Sequence, residues 1–525
     1  MKYTSFLFFW ILLYACHSTA PQDVDKSASL PVSDLLGSEL ATIHCGKCHQ
    51  YVDPGMLPKS SWEKDVLPAM AFRLGIYKGE HQPDSLFDKG LGGDMVRQAN
   101  IYPEQPVLSR ADWEKIIDFY VSNAPDTIMP PKVNDVLNTN LSLFRYKVPK
   151  QIQPPALTTM VKILPHQQSL VYSEGRPQFS NLNILNSDLE LTNNLKFKTT
   201  PIDFRNQSDT LYITTIGKSV FPHDAPDGDI QKVFKQSGGE VYNGTRIMIP
   251  DLHRPVDIVY CDLNNDGLED VLACEYGNNI GRLAYYENKG GDSYQTHILS
   301  PIAGAISTVV KDVDGDGLLD VVALMAQGDE SIVYYKNMGD SKFTAKPLMR
   351  FSPLNGSQYI EMEDFNGDGL DDILYVCGDN ADKTPILKPY HGVYIFLNTG
   401  DFNFVQGYFY PLNGAYKAMA RDYDEDGDMD IAAISFFPDY VSQAHQSFVY
   451  LENQGQMDFD SYTFPQSTDG RWMVMDAGDI DGDGDIDLAL GSFVFFQAMG
   501  DTTGLGQKWM RNGPAVVVLE NTTKP

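Results

Sequence analysis

Cysteine, tryptophan and positive charge are all scarce in this sequence. Six cysteines in 525 residues are too few and too scattered for a disulfide framework. Forty Lys and Arg face seventy Asp and Glu, and a formal net charge of −30 excludes nucleic acid as a partner. No Ser-His-Asp set, H-E-x-x-H pair or phosphate loop stands out, so nothing points to a hydrolase or a nucleotide enzyme. Apolar runs are short as well. The stretch Phe6–Ala15 has ten residues, too few to span a bilayer. Apolar content is ample, at 42% with 11% aromatic residues, and the chain is long enough for about two to four domains.

The short apolar run follows a single lysine and ends in "LYAC", so residues 1–16 read as a signal peptide. That tetrapeptide resembles a bacterial lipobox. The resemblance implies acylation of Cys16 and an exported lipoprotein, periplasmic or at the cell surface of a bacterium, held to its membrane by the lipid alone. A plain secretory signal cut a few residues later is the alternative, and it also sends the chain out of the cytoplasm. Residues 17–32 read as a linker.

"IHCGKCHQ", residues 43–50, fits C-x-x-C-H. Two thiols at this spacing can each add across a vinyl group of a haem, and the histidine that follows then meets the iron. A zinc site would need a second ligand pair nearby, but the next cysteine is Cys261. A thioredoxin-like pair would follow a strand, whereas here "SDLLGSELATIHCGKC" predicts a helix, with Ser33 as cap and Leu36, Leu40 and Ile43 on one face. The motif therefore assigns Cys45 and Cys48 as the covalent anchors of one haem c and His49 as an axial ligand. Cys261, Cys274 and Cys377 are left over, an odd set that reads as buried thiols acting as small apolar residues.

A second helix is marked in "LSRADWEKIIDFYVSNAP". Ser109 and Asp112 form its cap, Trp113, Ile116, Ile117, Tyr120 and Val121 its apolar face, and Pro125 its stop. One helix entering the motif and another packing across it resembles the small monohaem cytochrome c fold, here over residues 33–130. Met56, Met70, Met95 and Met129 are candidates for the sixth ligand, since a thioether raises the potential as an electron carrier requires. In small cytochromes of this kind a helix that begins near a Trp delivers the methionine, which implies Met70, with Met95 as the rival.

After a linker at 131–150, internal repetition dominates residues 151–525. Five loops recur at intervals of 50 to 58 residues: "DLNNDGLED", "DVDGDGLLD", "DFNGDGLDD", "DYDEDGDMD" and "DIDGDGDID". Each precedes an apolar strand, and a second strand then ends in an Asn turn, as in "AYYENKG". Turns such as "SPIAG" and "YPLNG" precede four of the loops. This pattern predicts an all-β propeller, of seven blades if its period runs through the whole region, with six or eight as the alternatives. Degenerate copies should then lie near 201–215 and 168–175.

The loops offer oxygens at positions 1, 3, 5 and 9 and the backbone carbonyl of position 7, an all-oxygen set suited to Ca²⁺. The residues are Asp262, Asn264, Asp266, Leu268 and Asp270 in the first loop, and Asp312, Asp314, Asp316, Leu318 and Asp320 in the second. The third has Asp364, Asn366, Asp368, Leu370 and Asp372, and the fourth Asp422, Asp424, Asp426, Asp428 and Asp430. The fifth has Asp479, Asp481, Asp483, Asp485 and Asp487. About five Ca²⁺ would offset a third of the excess negative charge. The loops resemble those of the FG-GAP/VCBS repeats of integrin-type propellers, which implies a structural role, expected at each blade's outer turn.

The whole resembles a multidomain fusion of a small all-α cytochrome c with a calcium-binding β-propeller. That implies electron transfer through the haem, with the propeller as docking or ligand-binding platform for a redox partner protein or an extracellular ligand. One alternative is a haem-linked propeller dehydrogenase of sugars or alcohols. Quinoprotein propellers of that kind carry recurring Trp motifs, which five tryptophans cannot supply. Another is a surface adhesion or polysaccharide-binding protein.

Overall fold

The computed structural model describes residues 25–524 apart from 80, 131–136, 151–152, 208–209, 236–241 and 496–500, and apart from the side chain of Asn243. Cys16 and the signal segment lie outside the described residues.

Seven four-stranded antiparallel sheets follow one another along the chain. Six are consecutive meanders, at 158–197, 201–252, 255–300, 305–350, 357–411 and 415–462, here blades 1 to 6. Blade 7 takes three strands from 472–521 and its fourth from the other end of the propeller chain. That fourth strand, Phe144–Lys147, pairs with Val516–Asn521, with Phe144 opposite Asn521. The closing strand thus falls within the stretch read as a linker. First strands of neighbouring blades pack on each other all the way round, so they line the axis. The degenerate copies fall where expected, at Pro201–Gln207 and Thr210–Thr215 in blade 2 and at Ser169–Glu174 in blade 1.

Second strands such as Asp270–Glu275, Asp320–Met325 and Asp430–Ser435 are buried at every residue. Adjacent blades cover both faces of each sheet, so these strands need unbroken apolar runs rather than alternation. The Asp-rich loops join each first strand to its second, on the axial side of the blade rather than at the outer turn. Sequence spacing alone does not say which strand of the four is innermost. All first strands run the same way, so the five loops emerge at one end of the propeller.

Short helices joined by loops make up the part of the chain before the propeller, from Lys26 to Asn123. Helix α1 (Gly37–Cys45) ends at the first thiol. A short α2 (Lys59–Ser61) runs through a π turn (Trp62–Val66) into α3 (Leu67–Arg73), and α4 (Leu91–Gln98) and α5 (Arg110–Asn123) follow. Ser109 caps α5 as expected, its Oγ accepting the Asp112 N–H at 3.0 Å. Ser33 does not cap α1. Glu39 does so instead, its carboxylate accepting the Leu36 N–H at 2.8 Å. Leu36 and Ile43 also stay 67% and 43% exposed, so Leu40 and Ala41 are the residues of α1 fully buried in the core. There they meet Trp62, Leu67, Trp113, Ile116 and Tyr120. Where α1 crosses α5, a Cβ on Gly37 would lie 2.1 Å from the Lys115 carbonyl oxygen, so that crossing admits only glycine.

This helical part rests on the propeller end opposite the Asp-rich loops. Thr384 in blade 5 donates from its backbone N–H to Asp65 at 3.3 Å, and Leu354 and Ile386 pack on the helical core. Arg73 Nη2 donates to Asn279 in blade 3 at 2.8 Å, and the Asp224 N–H in blade 2 donates to Asp88 at 2.8 Å. The segment from Asp65 to Arg73, containing α3, therefore spans from one blade's loop to another's. Among the described residues no helix is long and apolar enough to cross a membrane.

Candidate functional site

Helix α1 sets Cys45 half-buried against the helical core, and Cys48 follows in an exposed turn, its N–H donating to the Cys45 carbonyl at 3.3 Å. Both thiols are free. Burial pushes the Cys45 thiol up, opposed by the Tyr120 hydroxyl within hydrogen-bonding reach. That tyrosine also donates to the Val52 carbonyl at 3.0 Å and packs on Trp62, ring centres 4.3 Å apart. His49 Nδ1 lies 2.8 Å from the Gln50 carbonyl oxygen. A carbonyl only accepts, so Nδ1 carries the proton and the lone pair of the neutral ring is on Nε2. Met70 on α3 and Met56 pack on the same core as Cys45, while Met95 on α4 does not enter that cluster. Met129 is 77% exposed.

At the far end, the loops fold alike. The first Asp turns inward on its own backbone, so that Asp312 accepts N–H groups from Gly315, Asp316 and Gly317 at 2.8–3.1 Å. Its carboxylate converges with those of Asp314 and Asp316, one oxygen of each lying within 4.8 Å of the others. Asp422, Asp424 and Asp426 form the same triad, as do Asp479, Asp481 and Asp483. In the first and third loops an amide replaces the middle carboxylate, and Asn264 and Asn366 each donate to the next Asp at 3.0 Å.

The ninth-position aspartates Asp270, Asp320, Asp372, Asp430 and Asp487 are fully buried. One oxygen of each accepts the N–H of the loop's second residue, as from Leu263 to Asp270 at 3.0 Å. The other accepts the N–H of the Asn that ends the third strand, as from Asn288 at 2.8 Å and Asn521 at 2.8 Å. Loop and Asn turn, separate signals in the sequence, are two halves of one clamp. Burial pushes Asp430 and Asp487 up to about 7. Lys336 is a residue the sequence reading missed. From the third strand of blade 4 its ammonium pairs with Asp314 and with Asp316, the latter at 2.9 Å. The signal was its place before the Asn turn, which Glu287, Glu452 and Glu520 hold in blades 3, 6 and 7.

A family profile described as FG-GAP-like repeat matches residues 262–323 and 312–375. These are FG-GAP-like repeats. The matches take in the loops that begin at Asp262, Asp312 and Asp364, and the loops at Asp422 and Asp479 repeat their architecture in blades 6 and 7. Comparison with curated proteins gives no match. Among solved structures the chain is similar to the N-terminal domain of Nup159, at 10% identity and TM-score 0.40, over 74% of this chain and 98% of that one. It is also similar to a luciferin-regenerating enzyme, at 12% identity and TM-score 0.36, over 72% and 95%.

Proposed function

We propose that the chain is an exported c-type cytochrome that transfers electrons through one covalent haem, with a calcium-stabilised FG-GAP-like propeller as docking or ligand-binding platform. The observation that carries this reading is the C-x-x-C-H motif at the end of α1, with Cys45 and Met70 packed on one core. Cys45 and Cys48 would hold the haem by thioethers, and His49 Nε2 and the Met70 sulfur would bind its iron. The bound haem supplies one-electron exchange at its iron. The residues fit it: two free thiols, a histidine whose Nδ1–H is held by a carbonyl, and a half-buried thioether beside the buried faces of Trp62 and Tyr120.

The loops likewise fit Ca²⁺. Asp422 Oδ1, Asp428 Oδ1 and Asp485 Oδ1 are buried and accept no hydrogen bond, and a hard divalent ion is the partner such oxygens suit. In each ninth-position carboxylate the oxygen that accepts the Asn N–H keeps a further lone pair, while in Asp270, Asp320 and Asp430 the other oxygen also accepts a tyrosine hydroxyl. Cys16 acylation would leave the protein at the face of a membrane.

The test is the visible spectrum of protein exported from a host that attaches haem c. The His49→Ala variant should lose the low-spin spectrum, and Cys45→Ser with Cys48→Ser should lose covalent haem. Met70→Ala should abolish the sulfur-to-iron charge-transfer band. An unchanged spectrum in His49→Ala would sink the assignment, and loss of that band in Met95→Ala alone would move the sixth ligand to α4.

A further inference from the structure

The propeller end beneath the helical part holds a cluster that neither the motif nor the loops use. Arg254 and Arg471 stand immediately before the first strands of blades 3 and 7. Neither forms an ion pair with a carboxylate among the described residues. Arg254 Nη2 donates to the Val220 carbonyl at 3.2 Å and its guanidinium lies 5.3 Å over the Tyr276 ring, but its Nε is buried without a partner. Arg471, 7% exposed, donates from Nε to the Phe436 carbonyl at 2.9 Å and lies over the rings of Phe436 and Phe437, at 3.8 and 5.1 Å.

The Tyr416 phenol on blade 6 is within electrostatic reach of both guanidiniums, and of Tyr276 and Asp379. Blades 3 and 6 stand almost opposite in a ring of seven, so Arg254 and Tyr416 can face each other only across the axis. Arg254, Tyr276 and Tyr416 are each half-buried, so they keep surface open to solvent at this end of the axis. Burial raises the nearby carboxyls Asp379 and Glu330, and neither forms an ion pair with Arg254 or Arg471. A guanidinium with no counter-charge in such a place favours an anion, and its flat fork matches a carboxylate.

We propose that this axial mouth binds the carboxylate of a small ring-shaped acid, held by Arg254 and Arg471 beside the phenols of Tyr276 and Tyr416. Phe436 and Phe437 back the Arg471 guanidinium, and the half-buried rings of Tyr276 and Tyr416 would flank the ring of the ligand, whether an acidic sugar or an aromatic acid. This assigns a ligand class to the platform and rests on that part of the proposed function alone, because every residue named belongs to the propeller.

Calorimetric titration of the full chain with galacturonate and benzoate, against galactose and benzyl alcohol, tests it and separates the two sources. At least one acid should bind where its neutral counterpart does not. Arg254→Met should weaken that binding about tenfold or more, with circular dichroism and haem spectrum unchanged. Tyr416→Phe, which keeps the ring and removes only the hydroxyl, should weaken it less. Absence of binding by both acids, equal binding of acid and neutral compound, or wild-type affinity in a folded Arg254→Met would each overturn the proposal. Should Arg254→Met not fold, wild-type affinity in Tyr416→Phe overturns it instead. Acid binding by a protein lacking its haem spectrum would count against the haem reading and leave this site standing.

Discussion

Glu330, outside the Asp-rich loops, is a residue whose charge bears on the fold near neutral pH. It is buried, and its carboxylate accepts the Ser357 N–H at 3.0 Å and the Ser357 hydroxyl at 2.6 Å. Burial outweighs these bonds and raises it from its ordinary value of 4.5 to about 7. A folded pKa above the unfolded one means that its contribution to stability is complete below 4.5 and is lost as pH rises through about 7. The loss across that window is on the order of 3 kcal/mol. Glu330→Gln keeps an acceptor for Ser357 and removes the titration. Melting curves between pH 5 and 8 should therefore be flatter for the variant than for the wild type, and parallel curves would remove Glu330 as the cause. The remaining cysteines behave as the sequence suggested. Cys274 and Cys377 are fully buried and Cys261 half-buried, all free, and burial raises each thiol, so none is poised as a nucleophile.

At the scale of elements, the Asp-rich loop and the turn between blades carry most of the local information. Each loop concentrates carboxylates that repel one another unless a cation intervenes. A filled site at a hundredfold excess of Ca²⁺ over its Kd adds about 2.7 kcal/mol by linkage. Chelation should lower the melting temperature by several degrees or more, and re-addition of Ca²⁺ should restore it. A melting curve indifferent to both would remove calcium from the loops. The inter-blade turns depend on glycine for another reason. Gly414 sits at φ +69°, and a Cβ there would lie 2.3 Å from the Phe437 carbonyl oxygen. Gly414→Ala should cost about 1–3 kcal/mol from strain and overpacking, read as a lower urea midpoint with an unchanged slope.

For the whole molecule, closure of the ring is the decisive contact. Phe144–Lys147 covers the outer edge of blade 7, and Phe144 packs edge-on against Tyr423 and Tyr450, with ring centres 6.0 and 5.8 Å apart. Removing this strand would expose an unpaired edge of apolar residues, Val516 to Leu519. A chain lacking residues 144–147 should melt earlier and aggregate on heating, whereas one that melts like the full chain would show that the ring does not need this latch. The same closure explains why the helical part is not a loose appendage. The chain passes from α5 to the outermost strand of blade 7, and the helices rest on loops of blades 2, 3 and 5.

The sequence by itself determined the elements whose causes are local. Five loops with their following apolar runs marked blades 3 to 7, because each loop, strand and Asn turn is specified within about thirty residues. Ser109 with Asp112 marked the start of α5 for the same reason, as did the two degenerate copies for blades 1 and 2. It misplaced the cap of α1, where Ser33 turns away to meet Asp112 through its backbone N–H at 3.0 Å. Tertiary structure alone decided the rest. Which strand is innermost, that residues 144–147 close the last blade, and that the helical part faces away from the loops all depend on contacts between residues far apart in the chain. Arg254, Tyr276, Tyr416 and Arg471 form no motif. They meet only because the ring closes and brings blades 3, 6 and 7 to a common axis, a constraint that no local pattern of side chains can encode.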